Sequence, residues 1–358
     1  MWGDEITRAV VCCGAIVVVG EPVTIPVLRR VAAIDMPGGR SSHTIPTPRG
    51  GGLPIVVGLV ASVALVRGAA AVPVGAAIGF FGALGFVDDL RGLTAIRRLV
   101  LQCAGSAGIA ALLITPLHLP LAALAALALL TAVGLMGFVN AFNFMDGVNG
   151  ISGAHAMIGG VAYACLGQWR QDPFLVAMGL AVAVGALAFL PWNAIRARVF
   201  LGDVGSYALG AALAVLAVTA LIHGLPAEAV LGPLALYVAD TAWTLLRRVR
   251  AGERWTEAHR THTYQRWCDV GWTHPEVTLV TAATTVLVTL LGAVSLTGNP
   301  ALRLGCDLAG LAVLAAYLGS PALFGHPGVS QPSSLEELPE VPAQADRRRE
   351  PELQREPG

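Results

Sequence analysis

The 358-residue chain contains no lysine; all 23 of its basic residues are arginine. No side-chain amine is therefore on hand for Schiff-base chemistry. A surplus of positive charge is also missing, because 23 acidic residues balance the arginines, so no bulk field for nucleic acid is expected. Charged residues make up only 13% and aromatics 6%, against about 25% charged in ordinary soluble domains. This excludes a disordered chain and a soluble domain with a charged surface. The six cysteines form no framework either. Cys12, Cys13, Cys103, Cys165 and Cys306 sit in apolar runs and Cys268 in a polar loop, with no metal-ligand spacing among them. They read as small buried hydrophobes. The start lacks a signal-peptide pattern, since Asp4 and Glu5 precede the first apolar run.

What the chain does have is length of apolar sequence. Hydrophobic residues are 55% of it, and the mean hydropathy is +0.68. A membrane helix needs about 20 mostly apolar residues, with about 17 as a working minimum. Eleven stretches are candidates: Ala9–Leu28, Gly50–Val66, Ala69–Val87, Leu99–Ile114, Leu119–Val139, Ile151–Leu166, Phe174–Leu190, Val204–Ile222, Ala229–Leu246, Val277–Leu296 and Leu304–Leu323. The runs are continuous rather than alternating, which favours helices over a barrel. The expected fold class is all-α, a polytopic membrane protein with about 10–11 transmembrane helices. The membrane domain is expected over 1–324, and 325–358, rich in Pro, Glu and Arg, is expected to be a disordered cytoplasmic tail.

Arginine position sets the orientation. With connections numbered alternately, Arg29, Arg30, Arg40, Arg49, Arg91, Arg97, Arg98, Arg196, Arg198 and the arginines from Arg247 to Arg266 share one side. Only Arg8, Arg67, Arg170 and Arg303 fall on the other. The positive-inside rule places the richer side in the cytoplasm.

Five segments on that side carry nearly all the polar chemistry. The first, Asp35 to Gly52, is a Pro- and Gly-rich loop whose Arg40, His43 and Arg49 suit phosphate. The second is Asp88-Asp89, two carboxylates that repel each other unless a cation sits between them. Magnesium takes one or two carboxylates together with substrate phosphate oxygens. Arg97 and Arg98 follow at the start of the next apolar run. The third segment, Asn140 to Gly150, holds Asn143, Asp146 and Asn149. Polar residues at the lip of a membrane are costly unless they line a hydrated cavity. The fourth runs from Asn193 to Ser206, with Phe200 and Asp203. Asp203 suits a helix N-terminus and equally a metal. The fifth, His259-Arg260-Thr261-His262, opens a polar stretch ending at Arg266; it supplies too few ligands for zinc but suits phosphate contact.

Together, in this order and on one membrane face, the five segments resemble the polyprenyl-phosphate N-acetylhexosamine-1-phosphate transferases. That family includes the phospho-N-acetylmuramoyl-pentapeptide transferases. The resemblance runs from about Asp35 to Arg266. Segments 40–52 and 259–266 look most like the branch that begins O-antigen and other cell-envelope polysaccharides; the three consecutive histidines usual in the muramoyl branch are missing. The resemblance implies transfer of an N-acetylhexosamine 1-phosphate from a UDP-N-acetylhexosamine to a polyprenyl phosphate in the inner (plasma) membrane. UMP leaves, Mg2+ is the cofactor, and the active site faces the cytoplasm. It implies Asp88, Asp89 and Asp203 as catalytic and metal-binding residues, and His259 and His262 as catalytic. It implies Arg40, His43, Arg98, Asn143, Asp146, Asn149, Asn193 and Phe200 as nucleotide or substrate contacts, with Phe200 stacking on uracil. A second copy of the chain is a further candidate partner. Three departures stand out: Asn149 where relatives commonly carry Asp, Arg at basic positions often occupied by Lys, and Ala194-Ile195-Arg196 where prolines are common.

Two rival classes fit the sequence less well. Glu21, Asp240 and Asp307 lie near or within apolar runs, as in an ion-coupled transporter. A transporter, however, concentrates its polar groups near the midplane. An intramembrane aspartyl protease needs a partner motif that Leu201-Gly202-Asp203 lacks.

Overall fold

The computed structural model describes residues 2–31, 33–36, 45–253 and 260–323, with Trp2 given by its backbone alone. The expected tail lies outside the described residues, as do Arg40, His43 and His259. The described residues form twelve α-helices: α1 (Trp2–Arg30), α2 (Leu53–Leu65), α3 (Ala71–Arg91), α4 (Ala95–Ile114), α5 (Leu121–Phe144), α6 (Ile151–Arg170), α7 (Pro173–Asn193), α8 (Gly202–Ile222), α9 (Ala227–Arg250), α10 (Thr263–Asp269), α11 (His274–Ala293) and α12 (Pro300–Gly319). Strands β1 (Ile34–Asp35) and β2 (Thr47–Pro48) pair antiparallel, Ile34 opposite Pro48 and Asp35 opposite Thr47.

Every expected apolar run forms a helix, for the reason lipid imposes: a helix satisfies its own backbone hydrogen bonds. The protein is an all-α, multi-pass membrane protein. By length and composition, 9 helices among the described residues can cross a membrane. The ten or eleven expected from the apolar runs differ from these nine at α2 and α6. Helix α2 has 13 residues, about 20 Å at 1.5 Å per residue, against a hydrocarbon core of about 30 Å. It starts late because Gly50, Gly51 and Gly52 donate their N–H groups to the Phe200 and Leu201 carbonyls. Helix α6 is long enough, but His155, Gln168, Arg170 and its glycines dilute its apolar character.

Helix α8 is the central element, buried along nearly its whole length. Its Gly and Ala residues allow close helix approach, the usual basis of packing in lipid. A Cβ at Gly85 of α3 would lie 2.1 Å from the Asp203 carbonyl oxygen of α8. Leu121, Leu129 and Leu130 of α5 remain exposed, as a lipid-facing helix requires.

Hydrogen bonds divide the bundle into two ends. The finishes of α3, α5 and α7 meet the starts of α6 and α8 at one end, through Asp89 to Asp203, Asn143 to Asp203 and Asn193 to Gly150. At the other end, Arg170 of α6 donates to the His223 carbonyl after α8, and Arg303 of α12 pairs with Glu228 of α9.

The contact at Gly85 makes a testable point. Gly85→Val is expected to lower thermal stability in detergent by about 1–3 kcal/mol, the cost of overpacking. Gly79→Ala on the same helix, where an added Cβ meets nothing within 4 Å, is expected to leave it unchanged. A thermal-shift assay on both variants checks this.

Candidate active site

The site grows from the last turn of α3. Its left-handed cap at Gly92 turns the chain back, and the Leu93 N–H donates to Asp88 Oδ1 at 2.8 Å. Asp88 Oδ2 accepts from the Tyr207 hydroxyl of α8 at 2.9 Å and lies 3.5 Å from Arg98. Asp89 turns the opposite way. Its two carboxylate oxygens accept from the N–H groups of Asp203 and Val204, each at 3.0 Å. Arg49 Nε sits 3.0 Å from Asp89 Oδ1, and Arg49 Nη2 donates to the Asp89 carbonyl at 3.2 Å. Asp89 therefore caps the positive end of α8, where an anion is favoured. Gly202 makes this approach feasible: its φ is +74°, and a Cβ there would lie 2.6 Å from Asp89 Oδ2.

In front of this scaffold is a cleft of about 330 Å³. It gathers Asn143, Asp146, Asn149, Asn193, Phe200 and Asp203, six expected contacts from two separate segments. Asn143 Nδ2 donates to Asp203 Oδ1 at 2.8 Å and to Ser206 Oγ at 3.0 Å. Asn193 also acts as a strut: its Oδ1 accepts from the Gly150 N–H at 2.6 Å and its Nδ2 donates to the Val199 carbonyl at 3.1 Å. That amide clamps the loop after α5 to the loop before α8. Asn149 is held through its backbone, whose carbonyl accepts from Thr278 Oγ1 at 2.8 Å.

Asp146 stands in the loop between α5 and α6. Burial pushes its carboxyl up to about 7, and the charge of Asp203 adds to the rise. Two carboxylates facing one cleft in this way are stabilised by a cation between them.

Asp88 and Asp89 do not line the cleft; their oxygens serve the protein behind it. His262 is likewise set back. It is 2% exposed, its Nδ1 lies 3.3 Å from Asp240 Oδ1, and its ring stacks with Tyr264. Arg98 pairs with Asp88 rather than reaching the cleft wall. Three wall residues with polar side chains carry no expected role: Asp35, Gln265 and His274. Asp35 opens a loop read for its basic residues, Gln265 lies just past the histidines, and His274 looks like the plain start of a helix. Only the placement of all three at the same membrane face could have signalled them.

The stretch 71–221, from α3 to α8, matches the model of glycosyl transferase family 4. Shorter stretches are similar to phospho-N-acetylmuramoyl-pentapeptide-transferases. The enzyme of Synechococcus elongatus is 45% identical over 64 residues, covering 17% of this chain and 18% of the relative. That of Geobacillus kaustophilus is 50% identical over 64 residues, covering 18% and 19%. That of Enterococcus faecalis is 38% identical over 80 residues, covering 22% and 24%. The chain thus spans less than a quarter of the length of these curated relatives. The matched stretch, residues 71–221, carries Asp88, Asp89, Asn143, Asp146 and Asp203.

If Asp89 is chiefly a cap, Asp89→Asn is expected to cost stability of about 1–3 kcal/mol, because one N–H loses its acceptor and Arg49 its partner. Asp203→Asn should leave the unfolding midpoint within error. Chemical denaturation of the two purified variants separates these outcomes.

Proposed function

We propose that the protein transfers an N-acetylhexosamine 1-phosphate from a UDP-sugar to a polyprenyl phosphate, at the cytoplasmic face of the plasma membrane. The observation that carries this reading is the cleft itself. Carboxylates, an arginine and an aromatic ring converge at one end of a membrane bundle, where a water-soluble anion and a lipid anion can meet. The family match over α3–α8 supports the reaction class. The gathering of polar groups at one end, rather than at mid-depth, speaks against transport.

The donor set fits magnesium held in part by substrate. Among the described residues no three His, Cys, Asp or Glu side chains form a cage. Asp203 and Asp146 face the same cleft, and magnesium commonly keeps one or two carboxylates with phosphate oxygens completing its shell. Asp203 and Asp146 would hold the ion, which supplies charge neutralisation for the diphosphate and the departing UMP.

The chain's own residues then do the positioning on which phosphoryl transfer chiefly depends. Asn143 fixes the rotamer of Asp203. Arg49, turned by Asp89, offers its remaining Nη1 to a phosphate. Phe200, anchored by its N–H to the Pro48 carbonyl at 2.8 Å, presents a face for uracil. An oxygen of the lipid phosphate forms a bond to the β-phosphorus of the UDP-sugar as the bond from that phosphorus to the bridging oxygen breaks. UMP leaves with the electron pair. Because Asp88 and Asp89 are engaged behind the cleft, this reading has a single displacement rather than a carboxylate-bound intermediate.

Membranes bearing the protein are expected to release UMP from a UDP-N-acetylhexosamine only when polyprenyl phosphate and magnesium are both added, and EDTA should stop the release. Asp203→Asn should cut it by more than about 100-fold, as loss of a principal electrostatic contact does; undiminished turnover would overturn the assignment. A chiral β-phosphate should emerge inverted. Net retention would instead require a covalent intermediate.

A further inference from the structure

Gln265 forms part of the cleft wall from the first turn of α10. Its amide is not free to rotate. Oε1 accepts the His262 backbone N–H at 3.2 Å, one half of a capping box at the start of that helix. With the oxygen engaged there, the amide nitrogen is what the side chain has left to offer a ligand. The other side-chain amides of the cleft are those of Asn143, Asn149 and Asn193. Asn143 directs its amide nitrogen to Asp203 and Ser206, and Asn193 directs its own to Val199. Asp35, Asp146 and Asp203 present carboxyl groups to the same space.

Helix α10 is held on two sides. Asp240 of α9, fully buried, accepts the Thr263 N–H at 3.0 and 3.1 Å with its two oxygens, and the Thr244 hydroxyl at 3.1 Å. His262 Nδ1 lies 3.3 Å from the same carboxylate. A buried carboxylate persists only where such partners compensate it, and here the compensation is the N-terminus of α10. On the far side, the Tyr264 hydroxyl donates to the Phe144 carbonyl at the end of α5 at 2.8 Å. Asp240 stands ten residues, about 15 Å of helix, before the end of α9. Residues 261–263 therefore lie back alongside α9, where Arg247 Nη2 donates to the Thr261 carbonyl at 2.5 Å.

The geometry points to Gln265 as a substrate-contacting residue that donates a hydrogen bond to a neutral oxygen of the nucleotide sugar, a hydroxyl or an amide carbonyl, with Asp240 as the positioning residue that holds it there. The inference rests on the cleft being the nucleotide-sugar site. A neutral donor beside carboxylates discriminates well for a neutral acceptor, because a substrate lacking that acceptor leaves the donor unmatched.

Gln265→Glu is the decisive variant. Glutamate closes the same capping box, yet it puts an anionic acceptor where the donor was. Its KM for the UDP-N-acetylhexosamine is expected to rise by more than about tenfold, the loss of one buried hydrogen-bond partner. The KM for polyprenyl phosphate and the unfolding midpoint should stay unchanged. Gln265→Met, uncharged and of similar length, should raise the same KM. Asp240→Asn, which keeps an acceptor for Thr263 but removes the charge, should also raise the nucleotide-sugar KM and leave the lipid KM alone. A purely structural Asp240 would lower yield and kcat without touching either KM. An unaltered nucleotide-sugar KM in both Gln265 variants, with the unmodified protein active, overturns this inference alone. No UMP release from the unmodified protein overturns the transferase reading and this inference with it.

Discussion

One interaction underlies the rest of the site: the Asp89 carboxylate closing the start of α8. Two backbone N–H groups at a helix N-terminus need acceptors, and at the lip of a membrane water cannot be relied on to supply them. Asp89 supplies both from the end of α3. In doing so it fixes the height of α8 against α3, and therefore the position of Asp203 one residue inside that helix. Arg49 offsets the charge of Asp89 and is itself fixed by it. The Gly50–Gly52 strip laid along Phe200 and Leu201 extends the same assembly. A carboxylate, a cation and an aromatic ring are thus placed by one ionic junction.

The second constraint is segregation. The lipid-spanning parts of the helices carry Ala, Leu, Val and Gly, while the charged and amide side chains of the cleft cluster at one end of the bundle. Both ends are tied by polar contacts, but the far end uses simple pairs such as Arg303 with Glu228. Small residues along α8 let its neighbours approach closely enough for segments from four parts of the chain to share one cavity.

Much of this was legible in the sequence. The apolar runs gave the helices because continuous hydrophobicity of that length has few other outcomes. Asn143, Asp146 and Asp203 were legible because polar residues at a membrane boundary need a reason to be there. The hydrogen-bond partners of Asp88-Asp89 were not, because a carboxylate pair facing a cleft and a pair closing helix ends look the same in one dimension. Asp88 serves the turn at Leu93 and the hydroxyl of Tyr207, a residue with no sequence signal. The shortness of α2 was also hidden, since its first three glycines read as apolar until Phe200 and Leu201 claim their N–H groups. Asp240, unexplained from sequence, proves to be the anchor of a helix that begins more than twenty residues later.

The walls of the cleft enter the chain at very different times during synthesis. Asp35 lies near the start, whereas Gln265 and His274 arrive only after nine of the helices have been made. A nascent chain halted after α9 would already be threaded through the bilayer with Asp89, Arg49 and Asp203 assembled, yet one flank of its cavity would be open to water. Closure of that flank therefore waits on the chain from Gln265 to His274, which follows α9.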